Sequence, residues 1–246
     1  MTSEPFDPRV PVPRSFATTQ WSLVLCAGKG GETESAQHAL AELCERYWYP
    51  VYAYVRRSVP DVSTAQDRTQ SFFVHLLEKR TVEHATPERG RFRNFLLKAV
   101  QHFLINEYQH GQSLKRGGGI RPLSLDWEAG ESQWSIAASH NVTAEKLFDR
   151  QWALLILQRA LDRLRDDYES TGRGALYREL QGSLTGEESV ATANETQPPA
   201  TDAARQALRR MRKRYRELLR DEVGQTLDSA GDIDDEIRRL FAILAE

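Results

Sequence analysis

Between Ala65 and His110 the chain reads AQDRTQSFFVHLLEKRTVEHATPERGRFRNFLLKAVQHFLINEYQH. Its apolar residues recur at three- and four-residue steps on both sides of a basic, turn-forming loop, which predicts two helices rather than strands, where the alternation is every second residue. In the first helix Phe72, Phe73, Leu76 and Leu77 fall at helical spacing while Asp67, Gln70, Val74 and Glu78 fall on other faces, so half of it is left to meet a partner. In the second, Phe92, Phe95, Leu96, Ala99 and Phe103 make one apolar stripe and Leu97, Val100, Leu104 and Tyr108 another, which predicts burial on more than one side. Arg89, Arg91 and Arg93 gather with Asn94 and Lys98 at its entry, beside aromatic rings, a chemistry suited to single-stranded nucleic acid. Taken alone, the same residues also describe an ordinary helical hairpin with solvated charges.

The order of the motifs favours the functional reading. ALAELCERYWYPVYAYVRR, then DRTQSFF, then PERGRFRNFLLKAVQHFL resembles the second conserved domain of bacterial sigma factors of the extracytoplasmic-function type. The resemblance implies that Asp67, Gln70, Phe73 and Leu77 dock on the clamp of core RNA polymerase. It also implies that Arg91, Arg93, Asn94 and Lys98 open the downstream promoter element. The first helix departs from the family pattern at Arg68, usually aliphatic, and at Ser71, usually acidic.

Flanking segments fill in an all-α fold of two helical domains joined by a flexible linker, within a chain of 246 residues. Pro5, Pro8, Pro11 and Pro13 oppose helix and mark residues 1–17 as a flexible leader. The first domain, 18–110, opens with Thr18 and Thr19 ahead of a short helix bearing Trp21, Leu23, Val24 and Leu25. Its next helix, Ser35 to Ser58, carries Ala36, Leu40, Leu43, Tyr47, Val51 and Tyr54 on one side. Pro50 should kink that helix at a cost of about 3 kcal/mol, offset by packing of Tyr47, Trp48, Tyr49 and Tyr52. Aromatics set beside aliphatics at helical spacing read as core, not as a base-stacking surface. Residues 111–142, rich in Gly and Ser and without a sustained helical period, read as the linker, with Lys115, Arg116 and Arg121 able to track a phosphodiester backbone.

In the second domain, 143–223, Thr143 caps a long helix whose seam is Leu154, Leu157, Leu161, Leu164 and Tyr168, widened by Phe148, Trp152, Leu155 and Ile156. A short helix, ALYRELQGSL, follows. Ala200 to Val223, ATDAARQALRRMRKRYRELLRDEV, has Ala204, Leu208, Met211, Tyr215 and Leu218 along one face and Arg205, Gln206, Arg209, Arg210, Arg212, Lys213, Arg214 and Arg216 elsewhere. A cationic helix with an apolar back and a short helix before it has the form of a recognition helix. Arg205, Gln206, Arg209, Arg210 and Lys213 are its DNA-binding candidates, cations for phosphates and Arg or Gln near the start for base edges. Val190 through Arg220 resembles the helix-turn-helix of the sigma factor's last domain, RKRYRELL above all, with Pro198 and Pro199 replacing the usual turn glycine. Residues 224–246 supply one more amphipathic helix through Ile233, Ile237, Leu240, Phe241 and Leu244.

Composition bounds the alternatives. With 33 basic and 35 acidic residues, affinity for nucleic acid must be local rather than global. Cys26 and Cys44 have no cysteine or histidine at metal-ligand spacing, so neither a disulfide nor a metal site is expected. Apolar runs fall short of the roughly 18–20 residues of a membrane span, and a cytoplasmic location with no membrane contact is expected. The six histidines match no catalytic motif, so no enzyme and no cofactor is expected. The expected partners are core RNA polymerase and promoter DNA, with room for an inhibitory regulator. The alternative is a divergent sigma-like regulator that binds polymerase or another regulator without recognising promoters.

Overall fold

A computed structural model describes residues 34–78, 91–109, 125–137, 142–185, 202–227 and 233–245. All eight elements in these residues are α-helices: α1 Glu34–Ser58, α2 Val62–Glu78, α3 Phe92–Gln109, α4 Trp127–Ala137, α5 Ala144–Ser170, α6 Gly174–Thr185, α7 Asp202–Gly224 and α8 Ile233–Ala245. The expected leader, the short helix at Trp21–Leu25 and the turn at Pro198–Pro199 lie outside the described residues.

Several helix ends follow directly from side-chain chemistry. Asp61 accepts a hydrogen bond from the Thr64 amide at 2.8 Å, capping α2, and the Thr64 bonds hold its carboxyl below the usual range. The Thr143 hydroxyl accepts from the Lys146 amide at 3.3 Å, the expected cap of α5. At the far end the amide of Gly172, φ +70°, donates to the Glu169 carbonyl, and the Arg173 amide donates to the Tyr168 carbonyl at 2.7 Å. That pair of bonds closes α5 in a Schellman turn, and a left-handed φ makes glycine the unstrained residue there.

α1 lies along α5, and the junction is aromatic. Tyr47 stacks on Trp152 with ring centroids 4.8 Å apart and planes 9° from parallel, and Phe92 of α3 meets both at 5.2 and 5.9 Å. Such rings bury the largest apolar areas per residue, so this junction carries much of the packing energy. The Phe92 amide, which opens α3 and so has no preceding helical turn to bond to, donates to the Thr226 carbonyl just beyond α7. One cluster of buried residues runs from Tyr47, Phe72 and Phe92 through Trp152 and Leu164 to Met211 and Leu240. α1 continues through Pro50, which is buried, and the neighbouring aromatics are core as expected: Tyr47 and Tyr52 are fully buried, Trp48 and Tyr49 half-buried.

Two expectations are corrected. The seam of α5 is Phe148, Trp152, Ile156, Ala160, Leu164 and Tyr168, four residues apart, while Leu154 is exposed. Apolar residues surround most of this helix, and α1 takes the aromatic side. Within the segment read as a structureless linker, α4 forms because the Asp126 carboxylate accepts the Ala129 amide at 3.0 Å and Trp127 packs on Trp48 and Tyr52. Glu131 binds the Tyr52 hydroxyl and the Arg56 guanidinium, and Arg56 lies over the Trp134 ring, 5.3 Å from its centroid.

Gly130 is the contact that lets α4 approach so closely. A Cβ there would lie 2.8 Å from the tip of the Trp48 ring. Gly130→Ala is therefore expected to loosen α4 at a cost of about 1–3 kcal/mol, the price of overpacking. Faster amide exchange confined to residues 127–137 is the expected signature; unchanged exchange there would show that Trp48 gives way freely.

Candidate functional site

α7 is held to the body by its apolar back. Ala207, Leu208, Met211, Leu218, Leu219 and Val223 are buried, and Ala204 and Tyr215 are half-buried. Glu222 is also buried, and it accepts from Arg159 Nε and Arg163 of α5, both at 2.9 Å, which fixes the helix in rotation as well as position. The opposite side is cationic, and its arginines divide into two sets. Arg205 pairs with Asp202 at 2.6 Å, Arg212 donates to the Ser183 carbonyl at 2.9 Å, and Arg220 pairs with Asp234. Arg214 pairs with Asp167 at 2.6 Å, which raises its pKa further.

Gln206, Arg209, Arg210 and Lys213 are exposed, and at three- and four-residue steps they form one stripe about 10 Å long. Among the described residues no ion pair engages Arg209, Arg210, Lys213 or the neighbouring Arg216. The five candidates on this helix therefore share one exposed, cationic side, with Arg205 tied back to its own first turn.

The other candidates separate. Asp67 is exposed and Gln70 half-exposed on α2, and Arg68 pairs with Glu107 of α3 at 3.7 Å. Phe73, expected to face a partner, is only 1% exposed and packs edge-on against Phe72 at 5.2 Å. It is a core residue because α1 and α3 close over that side of α2. The side chain of Leu77 lies outside the described residues.

On α3, Asn94 and Lys98 face solvent on one side, four residues apart. Arg91 and Arg93 do not join them. Arg91 is half-buried, its Nε 3.0 Å from Glu236 Oε2 of α8. Arg93 is 1% exposed, 3.1 Å from Asp149 Oδ1 of α5 and 3.7 Å from Glu236 Oε1. None of its guanidinium nitrogens makes an aligned hydrogen bond with a described residue, and Glu236 Oε2 likewise lacks one. Burial lowers the Arg93 pKa against the pull of both carboxylates, and burial raises that of Asp149 against the pull of Arg93. For each group burial works against the charged form, and the opposite charge beside it only partly offsets this. Arg93 is therefore no surface DNA ligand in this arrangement. The sequence held a signal for this, since Arg93 shares the helical stripe of Leu96, Val100 and Phe103, all buried. Asp149 and Glu236, the groups that enclose it, had no motif to flag them.

Cys44 is buried, with its thiol pushed up to about 12 by desolvation, too high for a nucleophile. Among the described residues no cluster of His, Cys, Asp and Glu could hold a metal ion, and no helix is long and apolar enough to cross a membrane. No family model, curated protein or solved structure matches the chain.

Proposed function

We propose that this chain is a sigma factor, an all-helical subunit that binds core RNA polymerase and directs promoter-specific initiation without chemistry of its own. The observation that carries the proposal is the exposed stripe of Gln206, Arg209, Arg210 and Lys213 on a helix whose apolar back is fully engaged. A cationic side left unpaired on a near-neutral protein is suited to a polyanion, and a helix is the element that fits the major groove. The reading brings with it a helix-turn-helix within 143–223, a polymerase-binding and melting domain within 18–110, and a cytoplasmic location. Docking on the polymerase clamp falls to Asp67 and Gln70 on the solvent side of α2, with Phe73 supporting them from the core.

The test is duplex-DNA binding by the whole chain, since α5 packs on α1 and a fragment starting at Thr143 would expose Trp152. Charge reversal at Arg209 and Arg210 is expected to flatten the slope of log affinity against log salt by about 2, at about 0.9 per phosphate contact. An unchanged slope would make the stripe a solvated face. A second reading, a sigma-like regulator that binds polymerase or another regulator without reading promoters, is favoured by the burial of Arg93. It predicts polymerase binding with no promoter-dependent transcript in run-off assays.

A further inference from the structure

Arg93 is a buried cation whose neighbours do not satisfy it. Two carboxylates stand within 4 Å, yet no guanidinium nitrogen is aligned with either, and desolvation, helped by the nearby Arg239 and Arg91 charges, works against their attraction. Such a group gains by leaving if an anion outside offers aligned, charge-assisted hydrogen bonds. The cover over it is also slight. α8 buries only Glu236 and Leu240, with Ile233, Ile237 and Leu244 half-buried and Phe241 about half exposed. Its outer tie is the Arg220–Asp234 pair, whose two side chains are 47% and 66% exposed, so water and salt screen it and it adds little to the docking of α8. A short helix with one buried apolar side chain, its other apolar residues only half-buried against the core, belongs to the part of a protein that opens first.

We propose that α8 is an autoinhibitory clasp: with Asp149 of α5, its Glu236 withholds Arg91 and Arg93 of α3 from the backbone of single-stranded nucleic acid. The idea rests on the nucleic-acid reading of α3. Among the described residues, lifting α8 takes Arg91 away from its carboxylate and leaves Arg93 with Asp149. Both arginines then stand at the entry of the helix whose Asn94 and Lys98 already face solvent. The closed and open forms differ in their affinity for a polyanion, so the strand itself shifts the balance toward opening.

Glu236→Gln in the full chain removes the charge shared by both arginines, and Leu240→Asp loosens α8 by a separate route with Glu236 left in place. Folding of both is checked by circular dichroism. An arginine-selective dicarbonyl reagent, mapped by mass spectrometry, is expected to leave Arg93 untouched in the native chain and to modify it in both variants. Binding to an oligothymidylate is expected to tighten, and its log–log salt slope to steepen by about 1.4, two contacts at about 0.7 each. Arg93→Gln added to either variant should reverse about half of that change. Arg93 as reactive in the native chain as in the variants overturns the clasp, as does Arg93 protected in both folded variants. Arg93 exposed with no gain in oligothymidylate binding overturns autoinhibition alone, provided Arg209→Glu with Arg210→Glu still weakens duplex binding; loss of both effects removes the nucleic-acid reading with it.

Discussion

Replacing Trp152 by alanine is expected to destabilise the whole protein by about 3–5 kcal/mol, within the range for truncating a buried aromatic. Trp152 is almost wholly buried and touches Tyr47 of α1, Phe92 of α3 and Phe148 on its own helix. Its loss opens a cavity where three helices meet, and none of them can move in without leaving another partner. Against a typical net stability of about 5–15 kcal/mol, the variant sits near the unfolding threshold. The unbroken core makes a further demand: α3 and α7 should lose protection together. Urea titration followed by circular dichroism gives the size of the effect, and amide exchange read separately in the two helices gives its extent. Exchange that rises in α3 while α7 is unmoved would mean two cores rather than one.

The second large effect is expected at Glu222. Replacing Arg159 and Arg163 together by methionine leaves a carboxylate, only 3% exposed, without either of its guanidinium partners. Breaking a buried pair from one side costs about 3–5 kcal/mol, because the remaining ion is desolvated and uncompensated. Adding Glu222→Met removes the orphaned charge and should recover most of the loss, so the three substitutions together are milder than two. Thermal or denaturant unfolding of the double and triple variants decides the matter. A double variant within about 1 kcal/mol of the native chain would show that water reaches Glu222 and that the arginines are peripheral to α7 docking.

What could be read from the sequence was what depended on one helix at a time. α7 was legible because Leu208, Met211 and Leu218 alternate with cations at helical spacing, and Thr143 was legible because a cap acts over three residues. The choice of seam on α5 was not, because leucines and aromatics cover most of its circumference and only the shape of α1 selects Trp152 over Leu154. α4 was hidden by its glycine and serine content, although Asp126 before Trp127, with Trp134 two turns on, is a cap followed by a repeated apolar position. Arg93 was misplaced for the opposite reason. Its charge outweighed its register, and the register was right. The ion partners themselves, Asp149 and Glu236, lie far along the chain from Arg93 and from each other, where no local pattern links them.

The stacking of Tyr47 on Trp152 also bears on how the protein is made. These rings are separated by roughly a hundred residues, so their contact cannot form until α5 has been synthesised. At about 5–20 residues per second, α1 waits on the order of 5–20 seconds after leaving the ribosome before α5 follows it. Until then Tyr47 and Phe92, which touch each other, lack the Trp152 ring that covers both. A synonymous recoding of residues 111–142 would therefore change how long that gap lasts without changing a single side chain.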